Sequence, residues 1–98
     1  DQMSPDKIKK LSILRKKLDL LDNKLIKLIK IRTSIVKDVL KLKTYKHEIV
    51  DKKRISAILK NIKKKSIKNK IDPKITNRIW KNMILSYIDF ERRNFKKK

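Results

Sequence analysis

The sequence has no cysteine and no glycine, one histidine, one alanine and two prolines. Without cysteine neither a disulfide framework nor a Cys-based zinc site can form, and the redox compartment stays open. The lone His47 sits between Lys46 and Glu48 in a predicted turn. One imidazole is too few ligands for a metal centre, so His47 reads as a solvated polar residue and no metal site is expected. No segment approaches the ~20 apolar residues needed to cross a bilayer, because Lys or Arg interrupts every run. A soluble, cytoplasmic protein without a membrane partner is the default expectation. The chain begins Asp1-Gln2-Met3, which leaves two readings open: Met3 as the natural start, or a leader already removed.

Acid is the scarce charge: 31 Lys and Arg stand against 10 Asp and Glu, a net +21 at pH 7 in 98 residues. Such a balance points first to nucleic acid. Its distribution points away. Lysines recur in every segment and on every solvent-facing side of the predicted helices, not in one stripe interleaved with base-stacking aromatics. The abundance of Lys, Ile and Asn also follows AT-rich codons, so gene composition accounts for much of the charge. Nucleic acid is not expected as the principal partner. A basic nucleic-acid-binding helical protein is kept as the remote alternative, because this charge attracts phosphate whatever its origin.

Ser4-Pro5 and Asp72-Pro73 each pair a good N-cap with proline at the first helical position, where its missing N–H costs nothing. After Pro5, Leu11, Leu14, Leu18, Leu21, Leu25, Leu28, Arg32, Ile35, Val39 and Leu42 step alternately by three and four, the seam of one very long helix. Thr44 to Val50 loses the period and reads as a turn. Asp51 then caps a second helix carrying Ile55, Ile58, Leu59 and Ile62, which fades between Lys65 and Lys70. A third helix follows Pro73, with Ile75, Ile79, Trp80, Met83, Ile84, Tyr87 and Ile88 inward, and runs close to the Lys96-Lys97-Lys98 tail. The fold class is all-α, three helices in one domain, 1–98.

A helix from Pro5 to Leu42 would be roughly 55 Å long, whereas a compact domain of this size has a radius of gyration of ~13 Å. Two short helices can shield only part of its seam. The rest should pack against the same seam of a second copy, giving an intertwined two-fold helical homodimer.

Arg32 breaks the apolar seam, and an unpaired guanidinium there costs several kcal/mol, so an anion must meet it. A flanking row at seven-residue spacing adds Arg15 and Lys43. Arg15 has a plain explanation in a salt bridge to Asp19 or Asp22. Arg32 and Lys43, eleven residues apart, face the same way ~16 Å apart and could grip one small ligand from both ends. Arg15 lies about 25 Å before Arg32, too far to join them on one chain, but an antiparallel partner would bring its Arg15 alongside.

These residues resemble the all-helical (type II) chorismate mutases, whose pattern begins L-R-x-x-I-D-x-x-D and continues with spaced Arg, Lys and D-x-x-R. Here the chain reads Leu14-Arg15-Lys16-Lys17-Leu18-Asp19, then Asp22, Arg32, Lys43 and Asp51-Lys52-Lys53-Arg54, with Glu91 where the family has Gln and sometimes Glu. The resemblance implies an intertwined helical dimer acting on chorismate, a ring with two carboxylates, a hydroxyl and an enolpyruvyl ether. It implies that Arg15 of the partner chain, Arg32 and Arg54 hold carboxylates. Lys43 and Glu91 would face the ether oxygen, and Asp51 would shape the hydroxyl end. Rearrangement to prephenate, a step in phenylalanine and tyrosine biosynthesis, is pericyclic and needs no nucleophile, metal, cofactor or proton shuttle. Clamping the compact conformer and stabilising charge on the ether oxygen suffice.

Three positions depart from the pattern. Ile55 replaces a Glu that binds the substrate hydroxyl, Tyr87 replaces a Ser that meets a carboxylate, and the loop after Lys43 is short. These resemble the isochorismate-pyruvate lyases of the same fold, the alternative reading, although those enzymes keep Gln where this chain has Glu91. To donate a hydrogen bond to the ether oxygen Glu91 must carry a proton, so activity is expected to rise toward acid.

Overall fold

Helix α1, Pro5–Lys41, starts where the sequence placed it. The Ser4 hydroxyl accepts a hydrogen bond from the Lys7 N–H at 3.2 Å, satisfying one of the donors a helix N-terminus leaves open. At the other end Leu42 N–H donates to Val39 O and Lys43 N–H to Leu40 O, three-residue bonds that tighten the last turn. The helix therefore ends one residue before Leu42. The computed structural model describes residues 4–97; Met3 and Lys98, read above as a start and as the end of the basic tail, lie outside the described residues.

Past Lys43 the Glu48 carboxylate accepts from Thr44 N–H at 2.7 Å and Tyr45 N–H at 3.3 Å, folding the predicted turn around one side chain. Within it Lys46–Ile49 forms a single 3₁₀ turn that buries Ile49 to 4% exposure. The rings of Tyr45 and His47 stack with centroids 5.5 Å apart. His47 is exposed, and no cluster of metal-ligating side chains occurs among the described residues.

Helix α2, Lys52–Lys68, is capped by Asp51, which accepts from Arg54 N–H at 3.0 Å. Helix α3, Pro73–Asn94, is capped by Asp72, which accepts from Lys74 N–H at 2.9 Å. It stops before the tail, with Phe95 extended and Lys96 and Lys97 outside the helix.

The chain forms two units that divide within α1, between Ile35 and Val36. In the first, no residue of α1 is buried, and seam residues such as Leu18 and Leu25 stand 58% and 54% exposed. In the second, α3 packs against α2 and against the 3₁₀ turn. Its core is Ile49 and Ile84, surrounded by half-buried Ile55, Ile58, Leu59 and Ile62 of α2 and Trp80, Met83, Tyr87 and Ile88 of α3. Ile75 and Ile79, expected to point inward, are about half exposed. The apolar stripe of α3 is wider than the surface α2 offers it.

The link between α2 and α3 shows how a tight turn is made without glycine. Asn69 caps α2, Lys70 adopts φ 56°, and Ile71 N–H returns to Ser66 O at 2.9 Å while Lys70 N–H reaches Ile67 O at 3.1 Å. This is a Schellman motif with lysine at the left-handed position that glycine usually fills. Lys70→Gly should stabilise the protein by about 1 kcal/mol, the left-handed penalty less glycine's extra unfolded-state freedom, measurable as a raised denaturation midpoint.

Ser66 locks the same corner. It is 3% exposed, its hydroxyl lies 2.6 Å from Ile62 O and 2.7 Å from the Thr76 hydroxyl, and Thr76 lies 3.4 Å from Pro73 O. Ser66→Ala should destabilise by roughly 1–3 kcal/mol, because Thr76 then keeps only its long contact. Urea unfolding of the single variant and of Ser66→Ala/Thr76→Val would show the second change recovering part of the loss.

Candidate active site

Lys43 stands two residues past α1, its backbone fixed by the bond to Leu40 O. Glu91 sits on the inward face of α3, one turn after Tyr87 and two after Ile84, so the apolar stripe delivers a carboxylate into the interior. The two meet. Lys43 Nζ donates to Glu91 Oε1 at 2.8 Å, with their side chains 18% and 8% exposed. By contrast, the Lys10–Asp6 and Arg93–Asp89 pairs join neighbouring turns of one helix and lie in solvent. A sheltered ion pair between residues 48 positions apart is a different object: each charge loses most of its water and relies on the other.

The other expected residues lie elsewhere in the second unit or in the first. Asp51 and Arg54 share the first turn of α2 through the capping bond, which commits one Asp51 carboxylate oxygen to the backbone. Both side chains are exposed. Ile55 and Tyr87 are half-buried in the second unit, on α2 and α3. In the first unit Arg32 is half-buried and engaged in an interaction of its own.

Arg15 makes no ion pair with Asp19 or Asp22, so the plain explanation for it fails. Their spacing on the helix permits such a bridge, but the side chains stay apart along an open groove that Arg15 and Asp19 line with Ile8 and Leu11. Arg15 remains exposed and available to a ligand.

The direct bond between Lys43 and Glu91 is what the residue pattern did not convey. Both were expected to face a ligand as neighbours, and the structure adds the bond they make with each other. A signal was present: Glu91 is an acid set on a helix stripe of Ile84, Tyr87 and Ile88, where a carboxylate must find a cation.

Chemically the arrangement supplies a donor and an acceptor held together in a sheltered place. It contains no nucleophile poised by a base. It can bind an oxygen that gains negative charge, through the Lys43 ammonium, and it can order a polar ligand against fixed groups. No helix among the described residues is long and apolar enough to cross a membrane.

Neither a curated protein nor a solved structure shows a significant match to the chain. A family model does match, that of chorismate mutase type II, over residues 14–92, from Leu14 and Arg15 in α1 to Arg92 near the end of α3. With nearly the whole chain covered, including all of α2 and most of α1 and α3, the protein belongs to the type II chorismate mutase family.

Proposed function

We propose that this protein is a chorismate mutase that rearranges chorismate to prephenate in the cytoplasm, on the route to phenylalanine and tyrosine. The observation that carries the reading is the sheltered Lys43–Glu91 pair, set within a chain that matches the family over residues 14–92. In this reading Arg32 and Arg54, with Arg15 of a second copy, hold the substrate carboxylates, and Asp51 borders the hydroxyl. Lys43 meets the ether oxygen as its bond to the ring breaks, where a fixed cation stabilises charge that exists only in the transition state. No cofactor enters. The exposed leucines of α1 support a homodimer, since an apolar face of this extent is unusual on a solvated monomer.

The half-buried Ile55 and Tyr87 favour a second reading, an isochorismate-pyruvate lyase on the same fold, because neither supplies the carboxylate or small hydroxyl that a mutase site uses. Glu91 favours the mutase.

Incubation with chorismate and with isochorismate, following prephenate and salicylate, separates them. Prephenate from chorismate, reduced at least about 100-fold in Arg32→Ala, is the expected result, since a charged substrate contact is removed. Salicylate from isochorismate without prephenate would replace the mutase reading by the lyase.

A further inference from the structure

The mutase reaction leaves most of the protein's positive charge without a task, and the structure concentrates part of it. Helix α2 places eight Lys and Arg among its 17 residues and no Asp or Glu. Its Ile55, Ile58, Leu59, Ile62 and Ser66 occupy one side of the helix and are the shielded ones. Lys53, Lys60 and Lys64 therefore fall toward the solvent side and Lys63 at its edge, and all four are exposed. Helix α3 adds Lys74, Arg78 and Lys81 at four- and three-residue steps along one stripe. The two sets converge: Lys60 and Lys63 of α2 and Lys74 of α3, with Leu59, Pro73 and Asn77, line a groove of about 390 Å³.

None of these cations has a carboxylate partner among the described residues. The acids of the second unit are held elsewhere. Asp38, Asp89 and Glu91 face Lys41, Arg93 and Lys43, while Glu48, Asp51 and Asp72 accept backbone N–H groups.

We infer that the α2–α3 groove and the lysine face beside it bind the phosphodiester backbone of a nucleic acid duplex, without reading its sequence. Charge complementarity selects the occupant. Lys53 to Lys68 spans ~22 Å of helix, too long for one small anion, whereas a duplex presents a negative charge about every 1.7 Å of its axis. A single strand would need aromatic platforms, and α2 has none while Trp80 of α3 is half-buried. An anionic membrane would need an apolar surface among the lysines, and the solvent side of α2 offers little beyond Ile67. The even spread of lysine counts against nucleic acid as the principal partner. A carboxylate-free helix facing a groove with cations on both walls makes it a second one.

The test is the mobility shift of the intact protein with a duplex DNA of arbitrary sequence across a salt series, with three comparisons. The natural chain should bind with a log affinity against log salt slope of about −3 to −5, as for four or five phosphates. Lys60→Glu/Lys63→Glu/Lys74→Glu should weaken binding at least about tenfold and make the slope shallower by about 2 to 3. Lys9→Glu/Lys27→Glu/Lys30→Glu on exposed sites of α1 changes net charge equally and should leave affinity within about threefold. Helical circular dichroism checks folding, and if the groove triple unfolds, the corresponding Lys→Gln triple should show a smaller loss in the same direction. Equal weakening by both triples would mean diffuse charge alone and overturns the inference. So would absence of a shift at low salt, or tighter binding to phosphatidylserine vesicles than to the duplex.

Discussion

Lys43→Ala is expected to lower kcat/KM for prephenate formation by about 10²- to 10³-fold, the range seen when one donor to a developing oxyanion is removed. Stability should fall too, because truncation leaves Glu91, 6% exposed, without its cation. Breaking one side of a buried ion pair typically costs 3–5 kcal/mol by order of magnitude, and the remaining exposure of Lys43 places this case at the lower end, about 3 kcal/mol. The two effects must be separated. In Lys43→Ala/Glu91→Gln the stranded charge is gone, so most of the stability should return while activity stays low. Denaturant unfolding beside steady-state kinetics on the same four proteins closes the cycle. If the double variant recovers activity as fully as stability, Lys43 matters only as the partner of Glu91, and its role at the ether oxygen fails.

Glu91→Gln should act in the opposite direction at neutral pH. As a carboxylate Glu91 accepts the Lys43 hydrogen bond and offsets the charge meant for the substrate oxygen. To donate to that oxygen it must first gain a proton. The direction follows from donation alone: kcat/KM of the natural chain should rise as pH falls. A glutamine amide donates at every pH and leaves the Lys43 charge uncancelled. The variant should give a flat profile and exceed the natural chain by roughly 10- to 100-fold near neutrality. Flat and equal profiles would remove Glu91 from the reaction and leave it as a structural counter-ion.

Local signals made the helices legible. Ser4-Pro5, Asp51 and Asp72-Pro73 each carry a side chain that satisfies backbone donors within three residues, so position along the chain was enough to find the starts. The end of α2 was harder. Its stop depends on a left-handed Lys70, and lysine gives no such indication where glycine would. Ile75 and Ile79 look like core by spacing yet stand half exposed, because periodicity reports which face is apolar and says nothing about how much surface the neighbouring helix offers.

At the site, Lys43 was identified by its spacing from Arg32 along the first helix and Glu91 by its family position. Their contact joins residues 48 apart, which no local rule reaches. Arg15 shows the converse: its spacing to Asp19 and Asp22 suggested a bridge that solvated side chains do not form.

The corner at Lys70 also bears on how much disorder this chain surrenders when it folds. Glycine contributes more backbone freedom to an unfolded chain than any other residue, and here all 98 positions lack it. The unfolded ensemble is narrower at every link. Against that saving stands one residue forced to positive φ among those described. For a domain with so few buried side chains, a denatured state with less to lose complements its thin core, and repeated Gly substitution at loop positions other than Lys70 would erode stability without removing a single contact.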